Sequence, residues 1–293
     1  MVHIVIPVHN RVSVTLKCLL SLRRQTVTSY EIIVVDDGST DNTSDTLRSE
    51  FPYISVLRGN GNLWWTGSTN LGVRNALESA GPHDYILTLN NDTILPENYI
   101  ETLCNEIKRH PHALIGSVAL DHENQNAVVE AGVNIDWLSA KYTYHFKNQS
   151  YKGLFSEEDS FYRPTVLPGR GTAIPVEVFH EIGLFDQDMF PHYAADYDFS
   201  LRAKKAGYDL IVSFALTLFC FPKMSGIADT GERVPIVQAF RSFNSIRSGN
   251  NLQKRFLFAK RHAPRILLVP YILADILRVV LGTLIKRTKL MWY

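Results

Sequence analysis

The N-terminal third of the chain alternates between short unbroken apolar runs and longer stretches with apolar residues at every third or fourth position. A strand covered on both faces reads as a continuous apolar run. The runs therefore predict strands at His3–Pro7, Glu31–Val35, Ile54–Leu57 and Tyr85–Leu89. Between them, Val14, Leu16, Leu19, Leu20 and Leu22 give helical spacing over Ser13–Gln25, and further helices are expected at Thr40–Glu50, Gly67–Ala80 and Pro96–Arg109. Proline is accepted in the first turn of a helix. Strand and helix in alternation are the mark of βαβ units and a parallel sheet. Beyond residue 112 the pattern predicts strands at Leu114–Leu120, Ala127–Val133, Val166–Ile174 and Leu210–Phe221, with helices at Val176–Ile182 and Asp196–Ala206. Ile135–Phe146 is aromatic and irregular, and Lys147–Arg163 reads as a polar loop.

From about Phe256 the pattern changes again. Asp275, Arg278, Gly282, Lys286 and Lys289 form a narrow polar stripe, while Leu273, Ile276, Leu277, Val280, Leu281, Leu284 and Ile285 fill the rest of the helix. The longest uncharged run, Ile266–Ala274, falls short of the ~20 residues of a membrane span. An apolar helix with a basic stripe reads as an interfacial anchor on anionic lipid. A terminal helix docked on the protein's own core or on a second subunit is the other reading. Flanking Lys254, Arg255, Lys260, Arg261 and Arg265, with Trp292 and Tyr293 at the end, favour the membrane surface. Nine Lys/Arg and one acid lie between Lys254 and Tyr293, so this basic tail sits on a chain whose net charge is only +1. Its apolar load favours lipid over nucleic acid as the partner.

The bulk composition, 45% hydrophobic and 20% charged, leaves ample material for a core. The three cysteines, Cys18, Cys104 and Cys220, are scattered and form no CxxC pair. That spacing suggests neither a zinc site nor a disulfide framework, and it points to a reducing, cytoplasmic setting. The N-terminus enters a strand directly and lacks the regions of a signal peptide.

Two apolar runs end abruptly in polar groups: Val34-Val35-Asp36-Asp37-Gly38-Ser39 and Leu87-Thr88-Leu89-Asn90-Asn91-Asp92-Thr93. In an open parallel sheet, ligands bind outside the carboxyl ends of the strands. A hard cation carried by phosphates needs only one or two protein carboxylates. Asp92, with Asp37 nearby, suits a nucleotide-and-metal site; the competing reading is that both are helix N-caps. Asp196 could likewise be a cap. Asp198, two residues on, points elsewhere and either faces a substrate or pairs with Arg202. Trp64 and Trp65, if on a strand, would face opposite sides, one core and one site. Arg170 lies between two glycines and suits a phosphate or acceptor contact, because its fork matches oxyanions.

The order of these blocks resembles the family 2 glycosyltransferases. The resemblance rests on Ile4-Val5-Ile6-Pro7-Val8-His9-Asn10, Val34-Val35-Asp36-Asp37-Gly38-Ser39, Asn62-Leu63-Trp64-Trp65-Thr66-Gly67-Ser68-Thr69-Asn70 and Asn90-Asn91-Asp92-Thr93. It continues in Gly169-Arg170-Gly171-Thr172, Ile182-Gly183-Leu184-Phe185-Asp186 and Ala195-Asp196-Tyr197-Asp198-Phe199-Ser200-Leu201-Arg202. It spans residues 2–250, and the Asn-Asn-Asp-Thr form is similar to bacterial rhamnosyl- and galactofuranosyl-type transferases. The resemblance implies a GT-A fold, a Rossmann-like, mostly parallel α/β sheet with helices on both faces, over residues 1–253. Residues 1–111 would be the nucleotide-sugar half, 112–253 the acceptor half, and 254–293 an amphipathic membrane-associating tail. It implies inverting transfer of one sugar from a nucleotide diphosphate donor, dTDP-rhamnose or a UDP-sugar, to a polyprenyl-diphosphate-linked glycan at the inner face of the plasma membrane. Such a step belongs to O-antigen or capsule synthesis. By the same resemblance, Pro7, His9, Asp37, Gly67, Asn70, Asn90 and Asn91 would line the nucleotide-sugar. Asp92 would hold Mg²⁺ or Mn²⁺, and Asp196 would be the general base. From residue type and placement alone, Trp65, Arg170 and Asp198 are expected to meet acceptor or phosphate.

Two positions depart from the family pattern. Ala195 replaces a common glutamate, and Cys220 stands where many members place a histidine. Cysteine is a poor ligand for magnesium, which implies a weaker metal dependence than the family's, or replacement by His192. Rival readings are a sugar nucleotidyltransferase, which would want a glycine-rich loop that Val8-His9-Asn10-Arg11 lacks, and a non-catalytic binding module with a degenerate site. Gln238-Ala239-Phe240-Arg241-Ser242 imitates a processive-synthase motif but ends in serine. Oligomerisation is left open.

Overall fold

The computed structural model describes residues 1–154, 161–222 and 240–288. The expectations for Gln238 and Ala239, for part of the Lys147–Arg163 loop and for Lys289, Trp292 and Tyr293 lie outside the described residues.

The apolar runs become β1 (Val2–Val8), β2 (Tyr30–Asp36), β3 (Ser55–Arg58) and β4 (Tyr85–Thr88), parallel neighbours in the spatial order β3-β2-β1-β4. Alternate residues of β1 feed opposite cores. Ile4 and Ile6 pack with Leu19 and Leu22 of α1 (Val12–Arg23), with Leu47 of α2 (Thr43–Glu50) and with Leu103 of α4 (Tyr99–Arg109). Val5 packs with Val73 and Ala76 of α3 (Trp64–Leu77) on the other face. This two-sided burial is why the strands read as unbroken apolar runs.

Past β4 the sheet continues through β11 (Thr172–Pro175), β6 (Ala113–Asp121) and β12 (Asp209–Cys220) to β10 (Phe161–Tyr162). β11 runs antiparallel to both of its neighbours, while β6 and β12 are parallel. Short β5 (Thr93–Ile94) pairs the end of β12, and β7 (Val128–Glu130) pairs β6. The aromatic segment after β7 holds a separate hairpin of β8 (Asn134–Asp136) and β9 (Lys141–Thr143). A single turn, α5 (Tyr151–Leu154), follows it, and α6 (Val176–Ile182) and α7 (Ala195–Lys205) complete the second half.

Three expected elements shift. The strand foreseen at Val166–Ile174 is confined to Thr172–Pro175, because Gly171 takes a left-handed conformation (φ +70°) that ends the extended run. α4 starts at Tyr99 instead of Pro96, because Thr93 and Ile94 are drawn into pairing with β12. α3 starts at Trp64, three residues before Gly67.

The C-terminal segment forms α8 (Leu252–His262) and α9 (Leu268–Thr288). The Asn251 side chain caps α8 by accepting from the Lys254 N–H at 3.0 Å. The far end of α8 clasps α7 through the wholly buried Asp198, which receives Arg202 Nε at 2.8 Å, Arg261 Nη1 at 2.9 Å and His262 Nε2 at 2.8 Å. α9 is pinned by Arg255 Nε to Asp275 at 2.6 Å, by a 2.8 Å contact between the Tyr142 and Tyr271 hydroxyls, and by Arg278 donating to the Ser139 carbonyl at 3.0 Å. The polar stripe read from the sequence therefore turns inward at Asp275, where Arg255 meets it, while Arg278 stays at the surface and reaches the Ser139 carbonyl. What faces solvent is apolar: Ile266 is 87% exposed, Val269 65%, Leu273 64% and Leu277 58%. Counting uncharged residues also undersized this segment. Arg265–Thr283 is long and apolar enough to cross a membrane by length and composition, since two charges interrupt the run without changing its character.

Burial alone would raise Asp198, but the bonds from His262, Arg202 and Arg261 outweigh it and hold the carboxyl down to about 2. Its stabilisation is then complete above the ordinary carboxylate range, near ~4, and is lost as pH falls through about 2. Removing one partner from a buried ionic cluster costs ~3–5 kcal/mol. Urea melts should place Asp198→Ala below wild type by roughly that amount at neutral pH, with the gap closing in strong acid. An equal gap at all pH values would refute the ionic account.

Candidate active site

A cleft of about 1080 Å³ opens at the carboxyl ends of the parallel strands. Pro7, His9, Asp37, Trp65, Asn90, Asn91, Asp92, Arg170 and Asp196 all line it. It lies where the chain order reverses between β1 and β4, the position where open α/β sheets bind ligands.

One end of the cleft is organised by Asp37. Its carboxylate accepts the N–H groups of Gly61 at 2.7 Å, Leu63 at 2.9 Å and Trp64 at 3.0 Å. Three backbone donors on one buried carboxylate fold the segment between β3 and α3 into a wall of the cleft. The Asp37 carbonyl also contacts His9 Nδ1 at 2.7 Å. Trp64 and Trp65 are the first turn of α3, not a strand, so they do not face opposite sides. Both line the cleft. Trp64 lies against His192, with ring centroids 6.1 Å apart, and Arg247 sits 5.1 Å above its ring. His192 is thus a half-buried member of the cleft, not a surface residue, and burial lowers its pKa.

Two expected nucleotide contacts fall elsewhere. Asn70 is 1% exposed and spends its amide on the Phe185 N–H and carbonyl and on Gln187 Oε1. It faces a separate hollow of about 470 Å³. Gly67 is buried against Leu63 and does not line the cleft, although its neighbour Ser68 does. Asp198 is likewise withdrawn into its clasp with α8, so it offers nothing to an acceptor.

The middle of the cleft is the end of β4. Asn90 Oδ1 accepts from Trp65 Nε1 at 3.1 Å, and Asn91 Nδ2 donates to Thr15 Oγ1 at 3.0 Å. Asp92 is followed at once by the β5–β12 pairing, with Thr93 opposite Cys220, so it caps no helix. It is 4% exposed, and its Oδ1 has no hydrogen-bond partner. Arg170 Nη2 lies 3.8 Å away, and the Arg170 side chain is also buried. Among the described residues no cluster of three His, Cys, Asp or Glu could hold a metal by itself. The unpartnered Asp92 oxygen fits a cation that arrives on substrate phosphates and takes one protein ligand. Cys220 does not add a second. Burial pushes its thiol up to about 11, and sulfur is a soft donor poorly matched to magnesium.

The far end carries Asp196 in the first turn of α7. The N-cap position belongs to Ala194, in a left-handed conformation. Asp196 Oδ2 accepts the Gly169 N–H at 2.9 Å and Oδ1 accepts the Tyr197 N–H at 3.0 Å. Burial raises its pKa to about 6, with these backbone donors opposing the rise. A second carboxylate, Glu130 at the end of β7, lines the same space. Burial drives it to about 7, with Arg170 opposing and Asp196 adding to the shift. Glu130 went unnoticed in the sequence, although it closes an apolar strand as Asp37 and Asp92 follow theirs. Tyr142, Tyr144 and Tyr197, with Lys254, Arg255 and Phe258 from α8, complete this end.

The loop Pro168–Gly171 joins the two ends. A Cβ on Gly169 would lie 2.2 Å from Trp65 Cζ2, and one on Gly171 2.3 Å from Leu218 Cδ2. Both positions exclude any side chain, which explains the Gly-Arg-Gly spacing.

The family described as Glycosyl transferase family 2 matches residues 3–161, and Glycosyl transferase family group 2 matches residues 85–273. An uncharacterized glycosyltransferase of Bacillus subtilis, YwdF, is 28% identical over 70% of this chain and 68% of its own length. The glycosyltransferase GlyG of Streptococcus pneumoniae is 30% identical, over 37% of this chain and 35% of its own length. Among solved structures, GalNAc-T7 with UDP, GalNAc and Mn²⁺ superposes with a TM-score of 0.61 at 17% identity, covering 75% of this chain and 43% of that one. S. aureus TarS 1-349 gives 0.53 at 16% identity, covering 95% and 80%. The sheet and its flanking helices are thus the expected GT-A fold.

Overpacking a tight core site costs ~1–3 kcal/mol. Gly169→Ala should lower stability in that range and perturb the emission of Trp65, and Trp65→Ala added to it should recover part of the loss. A fully stable single variant would refute the proposed contact.

Proposed function

From a chain that belongs to glycosyl transferase family 2, we propose an enzyme that moves one sugar with inversion from a nucleotide diphosphate donor, dTDP-rhamnose or a UDP-sugar, to a lipid-linked glycan. The observation that carries the reading is Asp196: a desolvated carboxylate, raised to about 6, fixed by the Gly169 N–H and facing the same cleft as Asp92. A sugar hydroxyl is a poor nucleophile, and a positioned carboxylate takes its proton as attack proceeds. The donor nucleotide would lie along Pro7, His9 and the wall folded on Asp37, with its diphosphate at Asn90, Asn91 and Asp92. Mg²⁺ or Mn²⁺ held by Asp92 would supply Lewis-acid stabilisation of the departing diphosphate. Asp196 receives the acceptor proton, while Trp65 and the tyrosines exclude water and stack on sugar faces.

The test is nucleotide diphosphate release by purified protein with UDP-, dTDP- and GDP-sugars and a membrane-lipid extract. We expect release with one donor class, at a rate that climbs as pH rises through about 6 and then levels, because the base must be ionised. Asp196→Asn should lower turnover ~10²–10⁴-fold and leave donor affinity unchanged. Wild-type turnover in that variant would remove Asp196 as base, and no release with any donor would favour a non-catalytic binding module.

The exposed apolar strip of α9 supports a place on the cytoplasmic membrane face, with Arg265 and Lys254 near anionic headgroups and the strip in the acyl boundary. A helix fastened along its length by Asp275 and Tyr271 is suited to lie on a bilayer. Wild-type protein should sediment with vesicles rich in anionic lipid and release them at high salt, while Leu273→Asp with Leu277→Asp should stay in solution. Equal sedimentation of both proteins would sink the assignment of this face.

A further inference from the structure

Arg170 is a cleft cation whose burial the fold does not offset. It is 6% exposed, and among the described residues its Nε and Nη1 have no hydrogen-bond partner. Its Nη2 stands 3.8 Å from Asp92 Oδ1, beyond hydrogen-bond length. It bonds the Cys220 thiol, a weak partner, and Asp92 and Glu130 attract it without a hydrogen bond to either. A buried guanidinium with open donors is expensive, because the water it gave up is not replaced. Three contacts nevertheless hold the loop that carries it. Gly169 N–H binds Asp196 at 2.9 Å, Gly171 N–H binds the Thr88 carbonyl at 2.9 Å, and Ser117 Oγ donates to the Gly171 carbonyl at 2.9 Å. The glycines on either side admit no side chain, so the loop has little freedom to turn the arginine elsewhere. The result is a preorganised fork aimed into the cleft at the end of β4, with donors kept for a ligand. A planar fork of this kind matches phosphate oxygens bidentately.

We propose that Arg170 is a fixed cation for the diphosphate of the donor, so that the protein binds a nucleoside diphosphate without a divalent metal. This rests on the reading of the cleft as a nucleotide-sugar site. Arg170 then answers part of the charge that develops on the departing diphosphate, and it does so with no reorganisation. Asp92 acts against it when no cation is present, since the two side chains attract each other across 3.8 Å. Metal at Asp92 and diphosphate on Arg170 are therefore coupled, since a cation on Asp92 takes up the carboxylate that otherwise attracts Arg170, yet either one alone retains binding.

The test is calorimetric titration of UDP and dTDP into the full chain, in EDTA and in Mn²⁺. Wild type should lose no more than ~10-fold in affinity when EDTA replaces Mn²⁺, the scale of one neutral hydrogen bond. Arg170→Gln should weaken binding in EDTA by ~10–100-fold, the range for a charge-assisted bond, and should make binding strongly Mn²⁺-dependent. Arg170→Lys, which keeps the charge and loses the fork, should fall between. Asp92→Asn should bind in EDTA at least as well as wild type, and adding Arg170→Gln to it should remove that binding. Circular dichroism of each variant separates loss of fold from loss of ligand. Wild-type binding that vanishes in EDTA and returns with Mn²⁺ would overturn the proposal and keep the nucleotide site. No binding in either buffer would overturn both. Arg170-dependent binding of a short isoprenyl diphosphate, with UDP and dTDP indifferent to the substitution, would move the residue to the acceptor and also overturn the proposal.

Discussion

The site depends on how closely Trp65 approaches Gly169. The indole occupies the volume a side chain would need, at 2.2 Å from a virtual Cβ. Because nothing intervenes, the Gly169 N–H can bond Asp196 while Trp65 Nε1 bonds Asn90 on the far side. One aromatic ring thus ties the end of β4 to the first turn of α7, across more than a hundred residues of sequence. A packing contact converts to chemistry here, since it fixes the carboxylate that faces the cleft.

Around that contact the cleft collects charges away from water. Arg170, Asp92, Glu130 and Asp196 line it. In such surroundings each carboxylate is held by what it can reach. Asp37 has three backbone donors and serves as scaffold. Asp198 has three basic side chains and is driven to low pKa. Among the described residues Asp196 and Glu130 have no cationic partner at bonding distance, and burial raises both. Burial without a bonded cation is what suits these two carboxylates to proton transfer.

The C-terminal helices follow the same logic at the surface. α8 lends Lys254, Arg255 and Phe258 to the cleft and fixes itself to α7 through Asp198. α9 spends Asp275 and Tyr271 on the domain and leaves its apolar residues outside. The helix with the exposed apolar strip is one element removed from the helix that carries Asp196, joined to it by ion pairs.

The sequence by itself determined the parallel core, because two-sided burial writes short unbroken apolar runs, and in the N-terminal third these alternate with helical spacing. It also brought Asp37 and Asp92 to one edge, since polar groups at the ends of such strands have one common edge to occupy; Asp196, in the first turn of a helix, reached the cleft only through the family resemblance. Tertiary structure decided the rest. Periodicity records that a residue is buried or polar, not which distant element meets it. Asn70 and Asp198 look like site residues in the chain, yet each is consumed by a loop or helix far away in sequence. Glu130 looks like an ordinary strand end and enters the cleft only because β7 pairs with β6. The inward turn of the α9 stripe was equally hidden, because Asp275 meets Arg255 only after two helices have folded against each other.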